Sequence, residues 1–474
     1  MSSTKSTKAL VIGAGPGGYA CALRLAHHGI KPILVDKGAL GGTCLNVGCI
    51  PSKAVITAAK LADKARHADV MGIHIGEVSV DLAALMKWKD DVVKKLVGGV
   101  AQLCKGTGVE VVAGRAAFRN KGEVEVFTDS GTVVIQAENI VIATGSVPIE
   151  IPGFKPDNER VVDSTGALAL PALPGRMVVI GGGYIGLELG IAYAKLGTKV
   201  TVVEAMNQIL PGFDPEIAKL LDRKLKKLGI DVFLKAKAKG WSEGNGEAIV
   251  GIEVDGQAKT LACDKILVTV GRRPFSTGLN LEGAGLKLND RGFLAVDDKM
   301  RTAVAGIYAI GDVVGNPMLA HKAYREADVA ADVIAGLPAA FDARCIPAVV
   351  FTDPEIATCG VMEHEAKAQG LDYKVGKFPF AALGRAMTAA ETDGFCKAII
   401  DARTEELLGV AVIGPNASDL IAEAALAIEM GAVFDDVALT IHAHPTLPEA
   451  LKEAVLAAKG EALHALPSPA AVKG

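Results

Sequence analysis

Aromatic residues are scarce in this 474-residue chain, at 4% of the total, and tryptophan occurs only twice. No aromatic stripe interleaves with basic residues, no long basic block is present, and the formal net charge is −4. A nucleic-acid partner is therefore not expected. Missing too is any charge-poor apolar run long enough to cross a bilayer, so no membrane partner is expected. The polar stretch Met1 to Thr7 lacks the charged, apolar and cleavable pattern of a secretion segment, and the expected location is cytoplasmic. Cysteine is sparse: eight residues are too few and too scattered for a secreted disulfide framework. Cys21, Cys104, Cys263, Cys345, Cys359 and Cys396 stand singly in apolar or mixed surroundings and read as buried small hydrophobes. Only Cys44 and Cys49 are close enough in sequence to invite a shared function.

Glycine, by contrast, is abundant at 54 residues, and much of what is informative sits around it. Lys8 to Ile12 reads as a buried strand, followed by Gly13-x-Gly15-x-x-Gly18 and a helical run from Tyr19 to His28. That order permits a tight turn and brings a pyrophosphate against a helix N-terminus. Strand Pro32 to Val35 then delivers Asp36, eighteen positions after Gly18, where a carboxylate can accept hydrogen bonds from ribose hydroxyls. The arrangement recurs downstream. Met177 to Ile180 leads into Gly181, Gly183 and Gly186, a helix to about Leu196, and strand Lys199 to Val203 ending at Glu204, again eighteen positions on. Two complete fingerprints imply two dinucleotides or two nucleotide-binding halves serving distinct ligands. Glu204 would repel a 2′-phosphate and has no arginine beside it, so the second site should prefer NAD to NADP.

Between the fingerprints lies Gly41-Gly42-Thr43-Cys44-Leu45-Asn46-Val47-Gly48-Cys49-Ile50-Pro51-Ser52-Lys53. Five residues of regular helix climb about 7.5 Å, beyond the roughly 7 Å Cα separation that a disulfide tolerates, so an unbroken helix cannot hold a Cys44–Cys49 bridge. Gly48 supplies freedom between the two, and Pro51 is acceptable only in a first helical turn. The expectation is Cys44 in an irregular segment and Cys49 at the start of a helix reaching about Lys64. Oriented amides there would make Cys49 the easier thiol to ionise. A disulfide, half a metal site and two unbonded thiols remain as alternatives from this stretch alone.

Further along, Asn139 to Ile142 reads as a strand entering the small-residue turn Ala143-Thr144-Gly145, and Pro148, Pro152, Pro171 and Pro174 punctuate a change of unit. Leu261 to Val270 reads as one buried strand leading to Gly271-Arg272-Arg273-Pro274. Gly306 to Asp312 is a hydrophobic strand ending in an acid, with a ribityl hydroxyl or a local cap as the two roles for Asp312. His321, in Leu319-Ala320-His321, is expected to settle local hydrogen bonds. From about residue 346 the pattern becomes that of an α+β unit with a face able to join another subunit. Its distinctive stretch is His442-Ala443-His444-Pro445-Thr446-Leu447-Pro448-Glu449. A carboxylate on one imidazole nitrogen can orient the other toward a thiol and raise its basicity. His442 and His444 could instead share a metal, but no compact third ligand accompanies them, and acid-base chemistry is the favoured reading.

Taken together, these motifs resemble the flavoprotein disulfide reductases, and within that family the branch that oxidises dihydrolipoamide. The likeness rests on the first glycine turn, Gly41 to Lys53, Ala143-Thr144-Gly145, Gly181 to Gly190, Gly306 to Asp312 and His442 to Glu449, and it covers nearly the whole chain. It implies an α/β fold with two Rossmann-like dinucleotide-binding domains and a C-terminal α+β dimerisation domain. The implied boundaries are 1–150 for FAD, 151–278 for NAD, 279–345 for a return to the FAD-binding unit and 346–474 for the interface. It further implies a redox-active Cys44–Cys49 disulfide, and a homodimer in which His444 and Glu449 serve the partner's thiols. Lys53 and Glu188 would lie near the flavin, Tyr184 would shield it, and Gly271 and Ala320 would join the cofactor contacts. The implied partners are dihydrolipoamide on lipoyl domains of a 2-oxo acid dehydrogenase complex or on the glycine cleavage H protein. Asp36 and Pro448 depart from the Glu and Ser common in the family. A glutathione-type reductase is disfavoured by Glu204, a mercuric reductase by the absence of a cysteine pair after Lys459, and a scaffold by the retained redox residues.

Overall fold

A strand covered on both faces must be apolar on both, and Ala9, Leu10 and Val11 are fully buried. In the computed structural model, which describes residues 3–466, they belong to strand Ser3–Ile12 at the centre of a parallel core. The sheet runs Glu110–Ala113, Ile33–Asp36, Ser3–Ile12, Gly131–Ile142, Glu123–Thr128, Arg115–Asn120, and Ile307–Ala309 returns late in the chain to pair with residues 140–142. That return brings Asp312 to the same sheet end as Asp36. The first strand begins earlier than the apolar run suggests, because residues 3–7 pair with Val133 to Ala137. For the same reason the strand expected over Asn139 to Ile142 starts earlier and runs from Gly131 to Ile142. Fully buried Ile140 and Ile142 cement this layer, and Ile142→Ala would cost about 2–5 kcal/mol.

The second fingerprint organises a five-stranded parallel sheet in the order Asp231–Phe233, Lys199–Val203, Arg176–Ile180, Lys265–Val268, Val161–Val162. A three-stranded antiparallel sheet, Ala236–Gly244, Glu247–Val254 and Gln257–Cys263, adjoins it. The single strand expected over 261–270 is therefore two, in different sheets. Asp264 marks the crossing, its carboxylate accepting from the Arg176 amide at 2.8 Å. Arg272–Pro274 pairs with Ser146–Pro148, lacing together the chain's exit from the first unit and its return.

The third unit is an antiparallel sheet, Ala348–Val350, Glu355–Gly360, Leu407–Gly414, Phe395–Asp401, Tyr373–Pro379, with helices Ala417–Glu429 and Glu449–Ala457 packed on it. Its outer surface is apolar: Leu426, Met430, Leu439 and Ile441 are 64–94% exposed. The tail without a cysteine pair falls partly in 467–474, outside the described residues.

Buried lysines tie the three units together. Lys397 Nζ, on the third unit's sheet, reaches Asp214 and Glu216 (2.7 Å) at the start of a second-unit helix, and Glu363 at 2.8 Å. Burial alone would raise the Asp214 pKa, but hydrogen bonds from Lys397 and His364 outweigh it and hold this carboxyl below its ordinary range. Those three acids stand at metal-ligand spacing, but the Lys397 ammonium is already paired with all of them. Lys195 similarly joins Asp63 (2.8 Å) of the first unit to Asp353 of the third.

Candidate active site

Both glycine loops are built alike. At Gly13, φ is +103° and a Cβ would sit 2.3 Å from the Ala143 carbonyl oxygen, while at Gly18 a Cβ would meet the Gly13 oxygen at 1.7 Å. Gly181 and Gly186 repeat this against Thr269 and Gly181 at 2.5 and 2.3 Å. The middle glycines differ in kind: a Cβ on Gly15 or Gly183 would meet nothing within 4 Å. Each caps a 12-residue helix, Pro16–His27 or Tyr184–Lys195, so unpaired helix-end amides face open space suited to a pyrophosphate. Asp36 closes the first loop through the amides of Ala14 (2.5 Å) and Gly38 (2.7 Å). Glu204 closes the second through Gly182 (2.6 Å) and Met206 (2.7 Å).

The cysteine segment lies directly on the first loop. Gly41 N donates to Ala14 O at 2.8 Å, and a Cβ on Gly42 would fall 2.6 Å from Gly15 Cα. Cys44 lies in a short helix, Gly42–Val47, where the sequence suggested irregular chain; Asn46 Nδ2 ties that turn down by donating to the Leu40 and Gly42 carbonyls, both at 2.9 Å. At Gly48 (φ −137°, ψ −110°) the helix breaks, and Cys49 opens helix Cys49–Arg66 with Pro51 in its first turn. A Cβ at Gly48 would sit 2.8 Å from Thr43 O and 3.3 Å from Cys44 Cα, so glycine lets the two cysteine-bearing segments close together.

The paired thiols are unequal. A hydrogen bond from Cys44, opposed by burial and aided by the Lys53 charge, brings Cys49 down to about 7, while the same contact and burial push Cys44 up. Lys53 Nζ donates to Glu188 Oε2 at 2.9 Å; the other oxygen of the buried Glu188 accepts from the Phe351 amide at 2.9 Å, and Lys53 lies 4.3 Å from the Phe351 ring centre. One residue from each unit thus meets behind the thiols.

A cavity of about 480 Å³ joins these parts. Gly13, Gly15, Asp36, Cys44, Cys49, Lys53, Ala143, Thr144, Gly145, Tyr184, Glu188, Asp312 and Ala320 all line it. Gly18, Gly181, Gly183, Gly186, Glu204 and Gly271 do not: Gly18 packs under the first loop, Gly181, Gly183, Gly186 and Glu204 shape the second loop, and the Gly271 carbonyl accepts from the Ile149 amide at 3.0 Å. Thr144 Oγ1 donates to Phe275 O at 2.6 Å. Asp312 accepts from Ser146 Oγ at 2.5 Å, and that oxygen accepts from Arg272 Nε at 2.8 Å. Ser146 and Arg272 were not distinguished by sequence, although Arg272 directly follows Gly271. Nor was Glu326, buried between Lys322 (2.6 Å) and the Gly311 amide (2.6 Å); its only sequence signal is the four-residue spacing from Lys322. His321 bonds the Pro347 carbonyl at 2.6 Å, the local role expected of it.

His444 and Glu449 lie elsewhere. His444 Nδ1 is 2.9 Å from Glu449 Oε1, and the second carboxylate oxygen accepts from Thr446 N at 2.8 Å. Burial would raise Glu449, but that amide and the imidazole hold it below the ordinary carboxylate range. Its position opening helix Glu449–Ala457 suits a negative charge. His444 is 76% exposed and its Nε2 is left for another partner. His442 instead pairs with Glu423 at 2.8 Å, so the two histidines serve different carboxylates.

Comparison with known proteins matches residues 7–327 to the pyridine nucleotide-disulphide oxidoreductase family and residues 346–455 to the dimerisation domain of that name. The chain is similar to the dihydrolipoyl dehydrogenase of Geobacillus stearothermophilus, at 51% identity over 97% of each chain. It is 50% identical to that of Haloferax volcanii, over 97% of this chain and 98% of the relative. Among solved structures it resembles LpdA from Mycobacterium tuberculosis, with a TM-score of 0.89 and 29% identity over 94% and 99% of the two chains. The HOCl-induced flavoprotein disulfide reductase RclA from Escherichia coli follows at TM-score 0.85 and 29% identity, over 94% and 99%.

Proposed function

The chain belongs to the FAD-dependent pyridine nucleotide-disulphide oxidoreductase family, and from that premise we propose how its residues carry out the oxidation of dihydrolipoamide. It is an NAD-dependent dihydrolipoyl dehydrogenase that uses FAD and NAD and works as a homodimer. The observation that carries the assignment of roles is the thiol pair stacked on the first glycine loop within one cavity. Bound FAD supplies the two-electron connection between that pair and NAD+. Gly13, Gly15, Gly18, Asp36, Ala143, Thr144, Gly145, Gly271, Asp312 and Ala320 form the FAD site. Gly181, Gly183, Gly186 and Glu204 form the NAD site, with Tyr184 between the two.

The resting pair is a disulfide. His444 Nε2 of the partner subunit takes a proton from one substrate thiol, and the resulting thiolate attacks Cys44. Cys49 leaves as a thiolate, the role that its lowered pKa suits. The second substrate thiol, deprotonated in turn, displaces Cys44 and closes the lipoamide ring. Lys53, braced by Glu188, holds positive charge beside Cys49 and the flavin. Glu449 fixes the imidazole and stabilises its protonated form. The substrate dithiol arrives on a lipoyl domain of a 2-oxo acid dehydrogenase complex or on the glycine cleavage H protein; Cys49 is exposed and Cys44 partly so, which supports access by a carried dithiol.

Purified FAD-loaded enzyme should reduce NAD+ with dihydrolipoamide, read as NADH absorbance. Failure there, together with efficient NADPH-dependent reduction of glutathione disulfide, overturns the substrate assignment.

A further inference from the structure

His444 sits on a stretch with no regular structure of its own. Ten residues, 439–448, separate helix Phe434–Ala438 from helix Glu449–Ala457, and none of them belongs to a helix or strand. From Leu439 to Pro445 every residue but one is exposed. The exception is His442, whose side chain is only 6% exposed. A solvent-facing loop has little packing to fix it, so the few bonds it makes decide where its backbone lies. His442 makes two of them. Its Nε2 is 2.8 Å from Glu423 Oε1 on helix Ala417–Glu429, and its Nδ1 is 3.1 Å from the Thr440 carbonyl oxygen. That carbonyl also accepts from Lys452 Nζ on helix Glu449–Ala457 at 3.0 Å, while Thr440 Oγ1 donates to Asp436 O at 2.5 Å. The imidazole thus ties the chain entering His444 to both helices packed on the third unit's sheet. Glu423 also shares a narrow gap with Leu447, Pro448 and Leu451, so the helix that holds His442 abuts the far side of the same loop. There Thr446 Oγ1 donates to Ala443 O at 2.7 Å.

We propose that His442, held by Glu423, is a positioning residue for the thiol-oxidising half of the reaction: it fixes the main chain that presents His444 Nε2 to the substrate thiol. His442 itself takes no proton from substrate. Glu449 sets the direction of the His444 ring, and the Glu423–His442–Thr440 anchor sets the place from which that ring reaches out. Proton transfer needs heavy atoms within hydrogen-bond reach, so a shift of about 1 Å in this backbone can cost up to ~10²-fold in rate. The proposal rests on the role given to His444 above.

The test compares His442→Ala, His444→Gln and the double variant as FAD-loaded dimers. His442→Ala should lower kcat for dihydrolipoamide oxidation about tenfold and leave the KM for NAD+ unchanged. Oxidation of NADH by ferricyanide, which uses the cofactors but no substrate thiol, should stay at its native rate. Added to His444→Gln, the same change should cost nothing further, because no base is left to position. Glu423→Ala should reproduce most of the loss without altering the loop's own sequence, and it decides the matter where His442→Ala fails to hold FAD or to dimerise. Native kcat in either single variant of the anchor, an equal further loss on the His444→Gln background, or a parallel fall in ferricyanide reduction overturns the proposal. Native activity of His444→Gln by itself overturns the reading of His444 as the base, and this proposal with it.

Discussion

The thiol pair and the imidazole–carboxylate pair differ in how completely one chain builds around them. Cys44 and Cys49 line one cavity, rest on a nucleotide loop and are backed by residues from all three units. His444 is 76% exposed, and neither it nor Glu449 lines that cavity among the described residues. An imidazole away from the thiols of the described chain, carried by the unit with an exposed apolar face, is the arrangement behind the proposal that a second subunit supplies the missing half. On the roles proposed above, the thiol chemistry is organised within the chain and its proton chemistry across the dimer.

That contrast can be broken most forcefully at the thiols. Cys49→Ser should retain FAD but lower dihydrolipoamide-linked NAD+ reduction by at least ~10⁴-fold in a steady-state assay. Next, His444→Gln should keep FAD and the dimer while slowing thiol oxidation by roughly 10²- to 10⁴-fold. Mixing the two variants under subunit exchange sharpens the point. Each heterodimer then contains one intact site only if His444 acts on the partner, and random exchange should restore about a quarter of native activity. No recovery, with heterodimers verified by mass, would place both functions in one chain. Glu449→Gln should have a smaller effect, roughly tenfold to a hundredfold on turnover, because it orients and stabilises a base that is still present.

The mildest test is pH. With its pKa lowered to about 7, reduced Cys49 should be alkylated at a rate that rises through that pH and falls off below it as the thiolate is protonated. Cys44→Ala should move the midpoint upward, since the Cys44 hydrogen bond is the largest influence lowering it. An unmoved midpoint would show that helix amides and Lys53 set the thiolate without help.

Sequence exposed those parts of the molecule whose chemistry needs residues within a short window. A glycine turn works only if Gly13 and Gly18 are close enough to touch, and Glu449 can orient His444 because five residues bring it back. What stayed hidden spans long separations. Lys397 meets Asp214 across 183 residues, and Asp312 meets Ser146 across 166, with no periodicity to announce either pair. The chain break at Asp264 was obscured for another reason: an apolar run looks continuous whether it serves one sheet or two.

Gly42 stands so near Gly15 that no side chain could come between them. Nucleotide seat and sulfur segment are consequently a single piece of scaffold, with no hinge to decouple them. Drift in one displaces the other, which makes retention of the flavin and alignment of the thiols a shared vulnerability: loss of grip on the nucleotide would leave the sulfurs misaimed even with both cysteines intact.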